Sequence, residues 1–236
     1  MLAVQSAEIG GKTVITTSHA ALRAKLQGYL DQDDRLRSVV RYTKQRFDPE
    51  KTLTAHNWEH IYRDTLNAIV IGEAEGADMR VVLPAIVMHD IGYLSGPAKD
   101  HGPRGADQLP EYLEAAGISY PKDEIAKQAS CIRTHKGSTF DQHPVGLEAK
   151  VVADADLLEK FGALGVYQHI RSCGEFDWPL SKVIESASTR IIGTEDPGST
   201  LDTETGRQLA EPGRQVVADF FRALKSAAEP YGDSSL

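Results

Sequence analysis

The chain has 236 residues, 41% of them hydrophobic, enough to build one large core, and a 25% charged fraction that is ordinary for a globular protein. Its 34 acidic and 26 basic residues leave a formal charge of -8, which argues against general binding to a nucleic-acid backbone but leaves room for a nucleotide, because bound metal can present a cation to phosphate. No run of 18 apolar residues exists, so no segment reads as a membrane span.

Residues 1–17 show little helical signal and read as an extension. Thr17-Ser18 is placed to cap a first helix over roughly 19–31, with Leu22, Leu26 and Leu30 at four-residue spacing. A second helix is expected over 35–47 with Leu36, Val39, Val40 and Phe47, closed by Asp48-Pro49. A third covers 56–74, with Ile61, Leu66, Ile69 and Val70 on one face. Asp78 should cap a fourth over 79–90, kinked or broken by Pro84. Gly92, Gly96 and Pro97 then predict a turn-rich loop that carries Lys99 and His101 and shapes a pocket together with Tyr93. Further helices are expected over 103–116 and 121–135. Residues 145–171 read as two helices broken near Phe161-Gly162, and a short one opens at Pro179 and runs to about Ile192. After a loop at 193–203, an amphipathic helix over 205–228 carries Val216, Val217, Phe220, Phe221 and Leu224, with Pro212-Gly213 as a break near its start. The fold is therefore expected to be all-α: a single helical domain over 18–229, followed by a flexible tail at 230–236. The apolar stripes on 19–47 and 205–228 either cover the core or form a homodimer interface.

Chemistry concentrates in a few places. The apolar run Arg80-Val-Val-Leu-Pro-Ala-Ile-Val-Met ends in His89-Asp90, two strong metal-binding side chains where a buried segment stops. His56 and His60 lie four apart and share a helix face. The His-Glu-x-x-His signature of zinc peptidases is absent, because Glu59 directly precedes His60. His60 reads as a ligand, and His56 as a group that either supports a ligand or faces the substrate. Asp154 and Asp156 sit two apart in an apolar stretch followed by Glu159; on a helix they do not share a face, so one would ligate a metal while the other orients a histidine. His101 and His135 would fill a second metal site or contact a phosphate. Arg104, Arg133 and Lys136 lie close by in sequence and, with Lys99, are candidates to neutralise phosphate charge; Arg63 would bind phosphate or, preferably, pair with Asp154.

At this point the pattern His60, His89-Asp90, Asp156 resembles the HD-domain metal-dependent phosphohydrolases. The Ala-Asp-Leu-Leu form at 155–158 favours Asp156 over Asp154 as the last ligand, and Leu201 to Ala210 with the helix after it is similar to the tail of small bacterial members. The resemblance implies an all-helical bundle around a divalent metal and hydrolysis of a phosphoester, in a nucleotide or another small phosphorylated metabolite. His101 and His135 look like the extra histidines of members that hold two metals, with Asp90 bridging. His-Asp-Ile-Gly at 89–92 is similar to the motif of cyclic-dinucleotide phosphodiesterases, but their downstream Gly-Tyr-Pro is missing, so that substrate is not assigned.

Metal-activated water is the expected nucleophile, with manganese, iron, nickel, cobalt or magnesium as the ion, and imidazole-rich ligation favouring a transition metal. Asp90, His101, His135 and Asp154 are the catalytic candidates, and Asp154, His56, His101 and Lys136 compete as general acid. Two rivals accompany this reading: a non-catalytic nucleotide-binding or regulatory module, and a di-iron oxygenase of similar scaffold. Cys131 and Cys173 have no Cys-x-x-Cys spacing, and Met1 to Gly11 lacks the basic-then-apolar pattern of a signal peptide; a reducing cytoplasm fits both.

Overall fold

A computed structural model of the chain describes residues 5–9, 12–16, 18–48, 53–137, 142–188 and 201–231. Two short strands, β1 (Gln5–Ile9) and β2 (Lys12–Thr16), pair antiparallel with Gln5 opposite Thr16. This hairpin lies where the sequence predicts only an extension. The rest is helical: α1 (His19–Gln32), α2 (Asp34–Phe47), α3 (Trp58–Glu75), α4 (Met79–Val87), α5 (His101–Ala115), α6 (Lys122–Arg133), α7 (Leu147–Leu158), α8 (Gly162–Glu175), α9 (Leu180–Ala187) and α10 (Glu204–Ala228). Short 3-10 turns cover Ile91–Ser95, Ala98–Asp100 and Glu229–Tyr231. Among the described residues no helix is long and apolar enough to cross a membrane.

Local chemistry explains five of the helix starts. Ser18, Asp33, Asn57, Asp78 and Thr203 each accept a hydrogen bond from a backbone N–H in the first turn of the helix they precede. Burial then selects the faces. Ile61 and Ile71 of α3, Val82 and Ile86 of α4, and Val151 and Val152 of α7 meet in the main core, which Leu109 of α5 and Ile132 of α6 close. Leu26 of α1 and Leu36 of α2 pack on Leu66, Ile69 and Leu83, so the 19–47 stripe covers this core. A smaller cluster joins Cys173, Val183, Val217 and Phe221 across α8, α9 and α10. Val216 and Phe220 of the 205–228 stripe stay 47% and 39% exposed.

Two prolines lie inside helices. Pro84 lies inside α4, which continues through it and stops at Val87. Pro212 lies inside α10, which is not broken. An interior proline costs about 3 kcal/mol; burial of Ala210, Val217 and Phe221 along one face of α10 offsets this. Gly213 marks the crossing of α10 over the start of α8, where an added Cβ would meet Gly162 N at 2.4 Å. The sequence places a helix up to Ile192, a loop at 193–203 and a tail at 230–236; residues 189–200 and 232–236 lie outside the described residues.

Candidate metal centre

Four imidazoles and three carboxylates converge where α3, α4 and α7 meet the starts and ends of α5 and α6. His60 lies in the first turn of α3, where Asn57 Oδ1 accepts from its backbone N–H at 3.2 Å. His89 and Asp90 follow the end of α4, in a turn rather than in the helix. Met88 (φ -106°, ψ 7°) and Asp90 (φ -99°, ψ 6°) have left helical geometry, which lets adjacent side chains serve one site. His135 follows α6 in the same way, after Thr134 at φ -116°, ψ 15°. His101, expected in a glycine-rich loop, is instead the first residue of α5 and 4% exposed. Gly92 makes this possible: a Cβ there would lie 2.0 Å from His101 O, so only glycine lets the His-Asp loop pack against the start of α5.

One device sets three of the rings. Nδ1 of His89, His101 and His135 lies 2.6, 2.7 and 2.7 Å from the carbonyl three residues earlier, on Ile86, Ala98 and Ile132. A carbonyl only accepts, so Nδ1 carries the hydrogen and Nε2 presents a lone pair. His60 donates its Nδ1 hydrogen to Glu159 Oε2 at 2.8 Å. All four Nε2 atoms then point inward: His89 to His60 at 3.4 Å, and His101 to His135 at 2.9 Å. Asp90 lies between the pairs. Its Oδ1 is 3.2 Å from His101 Nε2 and 3.6 Å from His135 Nε2, and its Oδ2 is 3.5 Å from His60 Nε2 and 3.4 Å from His89 Nε2. Asp156 Oδ1 lies 3.7 Å from His60 Nε2.

Electrostatics favour a cation here. Burial pushes the His89 imidazole down, and burial together with the neighbouring His101 and His89 pushes His135 down to about 3, so both are neutral lone-pair donors. Burial also acts downward on His60, but Asp64, Asp90 and Glu159 outweigh it and hold that ring well above its ordinary value. Burial pushes Asp156 up, yet Lys160 and the histidines bring it down to about 2. Asp90 is likewise held well below the usual range by His89, His101 and His60 against its own burial. Bare nitrogens 2.9 Å apart repel unless a positive charge lies between them. Asp90 Oδ2, buried, has no hydrogen-bond donor of its own. Two overlapping donor groups, His60/Asp64/His89/Asp156 and His89/Asp90/His135, are each tight enough to hold one ion. This donor set fits a divalent metal.

The centre forms the floor of a cavity of ≈ 600 Å³, lined also by His56, Tyr93, Lys99, Lys136 and Lys160, with Phe176 and Trp178 on the far wall. His56 is tied from both sides: its Nδ1 lies 2.7 Å from Glu175 Oε1, and Tyr93 donates its hydroxyl to His56 Nε2 at 3.2 Å. The Tyr93 ring stacks between His56 and His101.

Other expected site residues are placed elsewhere. Asp154 is fully buried and outside the cavity lining. Its carboxylate accepts from Asp202 N at 2.9 Å, Thr203 N at 2.7 Å and Thr203 Oγ1 at 2.5 Å, which anchors the start of α10. Burial pushes it up to about 6 despite these bonds. It orients no histidine and does not pair with Arg63. Arg63 instead donates to Glu159, and at 3.4 Å to Gln168 Oε1. Arg104 donates to Gly92 O and Pro97 O and braces the loop after Asp90. Arg133 donates to Asp107 on the surface. None of these three arginines lines the cavity; each is spent within the fold.

Three acidic groups escaped the sequence reading as site residues. Glu159 orients His60, Glu175 holds His56, and Asp64 lies one turn after His60. The four-residue spacing of His60 and Asp64 was a usable signal, since both fall on one helix face. Glu175 and the α8 wall had none, because their partners lie 119 and 120 residues away.

An HD domain model matches residues 57–160, from just before His60 to just after Glu159. With the helical architecture and the His, His-Asp, Asp cluster, this supports an HD domain over residues 57–160. It is 25% identical over 177 residues, 73% of its length, to an uncharacterized protein, YpgQ, of Bacillus subtilis, of which it covers 84%. It shares the fold of a crystal structure from Lactobacillus plantarum at a TM-score of 0.68, with 20% identity, 84% of this chain and 98% of the other covered. The crystal structure of Bacillus subtilis YpgQ in complex with ADP aligns at a TM-score of 0.61, with 22% identity over 81% of this chain and 97% of that one. A predicted HD superfamily hydrolase from an uncultured Thermotogales bacterium aligns at 0.54, with 24% identity, 81% and 91% covered.

Proposed function

We propose that this chain is a divalent-metal-dependent phosphohydrolase acting on a small phosphoester, a nucleotide or a similar phosphorylated metabolite. The observation that carries the reading is the convergence of four histidine Nε2 atoms and carboxylates at the floor of a cavity lined by lysines. His60, His89, Asp90 and Asp156 would hold one ion. His101 and His135 would hold a second, with Asp90 shared, since each of its oxygens faces one histidine pair. A divalent ion bound there supplies Lewis acidity and an activated water.

The chain's own groups do the rest. Lys99 and Lys136 line the cavity and offset phosphate charge. Glu159 keeps the His60 hydrogen on Nδ1 and so keeps Nε2 available. Tyr93 and His56 shape the entrance as a stacked pair. Protonation of the leaving group falls to His56 or Lys136, which line the cavity; His101, whose hydrogen is held by Ala98 O, and Asp154, with its oxygens filled and outside the lining, are withdrawn from that role. The ADP complex of Bacillus subtilis YpgQ, a protein of the same fold, supports a nucleotide as the first substrate class to try.

The test is phosphate or pyrophosphate release from a nucleotide and phosphate-ester panel, with Mn²⁺, Fe²⁺, Ni²⁺, Co²⁺ and Mg²⁺ in turn, by wild type, His89→Ala and Asp156→Ala. Turnover by wild type and its loss in both variants is expected. Nucleotide binding without turnover under every metal would replace the hydrolase by a sensing module.

A further inference from the structure

Asp64 is the buried carboxylate that the proposed centre leaves unexplained. It is fully buried on α3, and neither of its oxygens receives a hydrogen bond. Two other buried acids near the site, Asp154 and Glu159, are served. Asp154 has three donors, and Glu159 has Arg63 and the His60 ring. Asp64 Oδ2 does lie 3.1 Å from His60 Nδ1, but that hydrogen is directed to Glu159. On its other side Asp64 Oδ2 lies 3.7 Å from His89 Nε2, the same lone-pair nitrogen that Asp90 Oδ2 approaches at 3.4 Å.

A carboxylate in a dry interior without donors is costly, by several kcal/mol. An apolar side chain of similar size would serve the packing of α3 better, because Ile61 and Ala68, on the same helix face, are buried and apolar. The cost is relieved if a cation is within reach. One donor atom each from Asp64, His60, His89 and Asp156 lies within 4.8 Å of the others, the span of a single ion's ligands.

We infer that Asp64 is an additional oxygen donor to the metal centre, on the side formed by His60, His89 and Asp156. This rests on the metal-centre reading and adds to it a residue beyond the His, His-Asp, Asp pattern. A third carboxylate makes the site more oxygen-rich, which shifts its preference toward Mn²⁺ relative to Zn²⁺.

The experiment measures Mn²⁺ affinity of the full-length chain by electron paramagnetic resonance titration, for wild type, Asp64→Asn, Asp64→Leu and His89→Ala. Thermal denaturation of each with chelator present is measured alongside. Both Asp64 variants are expected to bind Mn²⁺ about tenfold or more weakly. Metal-free Asp64→Leu is expected to melt no lower than metal-free wild type, because it removes a buried carboxyl that no donor serves. Asp64→Asn keeps the shape of the side chain and retains the test if the leucine variant fails to fold. Wild-type Mn²⁺ affinity in a folded Asp64 variant overturns the inference while leaving the centre intact, provided His89→Ala loses the ion. Failure of wild type itself to bind any Mn²⁺ overturns the centre and Asp64's part in it together.

Discussion

In the proposed centre His60 can ligate only if its hydrogen stays on Nδ1, and Glu159 Oε2, at 2.8 Å, is what keeps it there. Glu159→Gln retains size but can present either oxygen or NH₂ to the ring. A loss of about 10- to 100-fold in metal affinity or activity is expected, with the fold retained, checked by metal content and circular dichroism. Glu175 tests the entrance. Burial pushes its carboxyl up, but hydrogen bonds from the His56 ring and the amides of Ala55 and His56 outweigh burial and hold it below its ordinary 4.5. A carboxylate lowered on folding stabilises the fold above its unfolded value, and that contribution is lost as pH falls through the folded value. Glu175→Gln should therefore melt below wild type at pH 7, and the gap should narrow at pH 3. A gap that stays constant across this range would show that Glu175 acts through shape alone.

Helices are joined at this site by their ends, which makes close approaches the sensitive points. Gly92→Ala forces a Cβ to within 2.0 Å of His101 O, so the His-Asp loop and the start of α5 must separate. Over-packing of this kind costs about 1–3 kcal/mol. Because His101 opens α5, the same change should lower metal occupancy as well as the melting temperature. Gly213→Ala at the α8–α10 crossing meets Gly162 N at 2.4 Å and lies far from the ligands in the chain. It should destabilise by a similar amount with metal affinity unchanged. Measuring both quantities for both variants separates loss of the site from loss of the fold.

For the molecule as a whole, the candidate centre gathers side chains from α3, the end of α4, the start of α5, the end of α6 and α7. An ion bound by these groups favours the folded state by mass action, by about 4 kcal/mol at a thousand times the dissociation constant. Thermal melts with excess Mn²⁺ and with chelator should differ by many degrees in wild type, and hardly at all in His89→Ala. An unchanged wild-type melt would remove the centre from the stability of the fold.

What the sequence determined by itself is the helical order and the His, His-Asp, Asp pattern. Apolar spacing and capping residues act within about four positions, so α1, α2, α3 and α10 and the caps at Ser18, Asp78 and the turn near Phe161-Gly162 are legible locally. His89-Asp90 stood out because two polar groups close an apolar run. The tertiary structure decided which partner each side chain meets, because those partners come from helices packed across long stretches of chain. Asp154 was drawn 48 residues away to the start of α10 rather than to a histidine. His101 and His135, 34 apart, came to 2.9 Å, while Arg63 and His60 found Glu159 nearly a hundred residues on. The arginines that read as phosphate ligands were taken up by carbonyls and carboxylates nearer to them in space. A buried donor or acceptor must be satisfied by whatever the packing brings within 3 Å, and no periodicity in the chain encodes that choice.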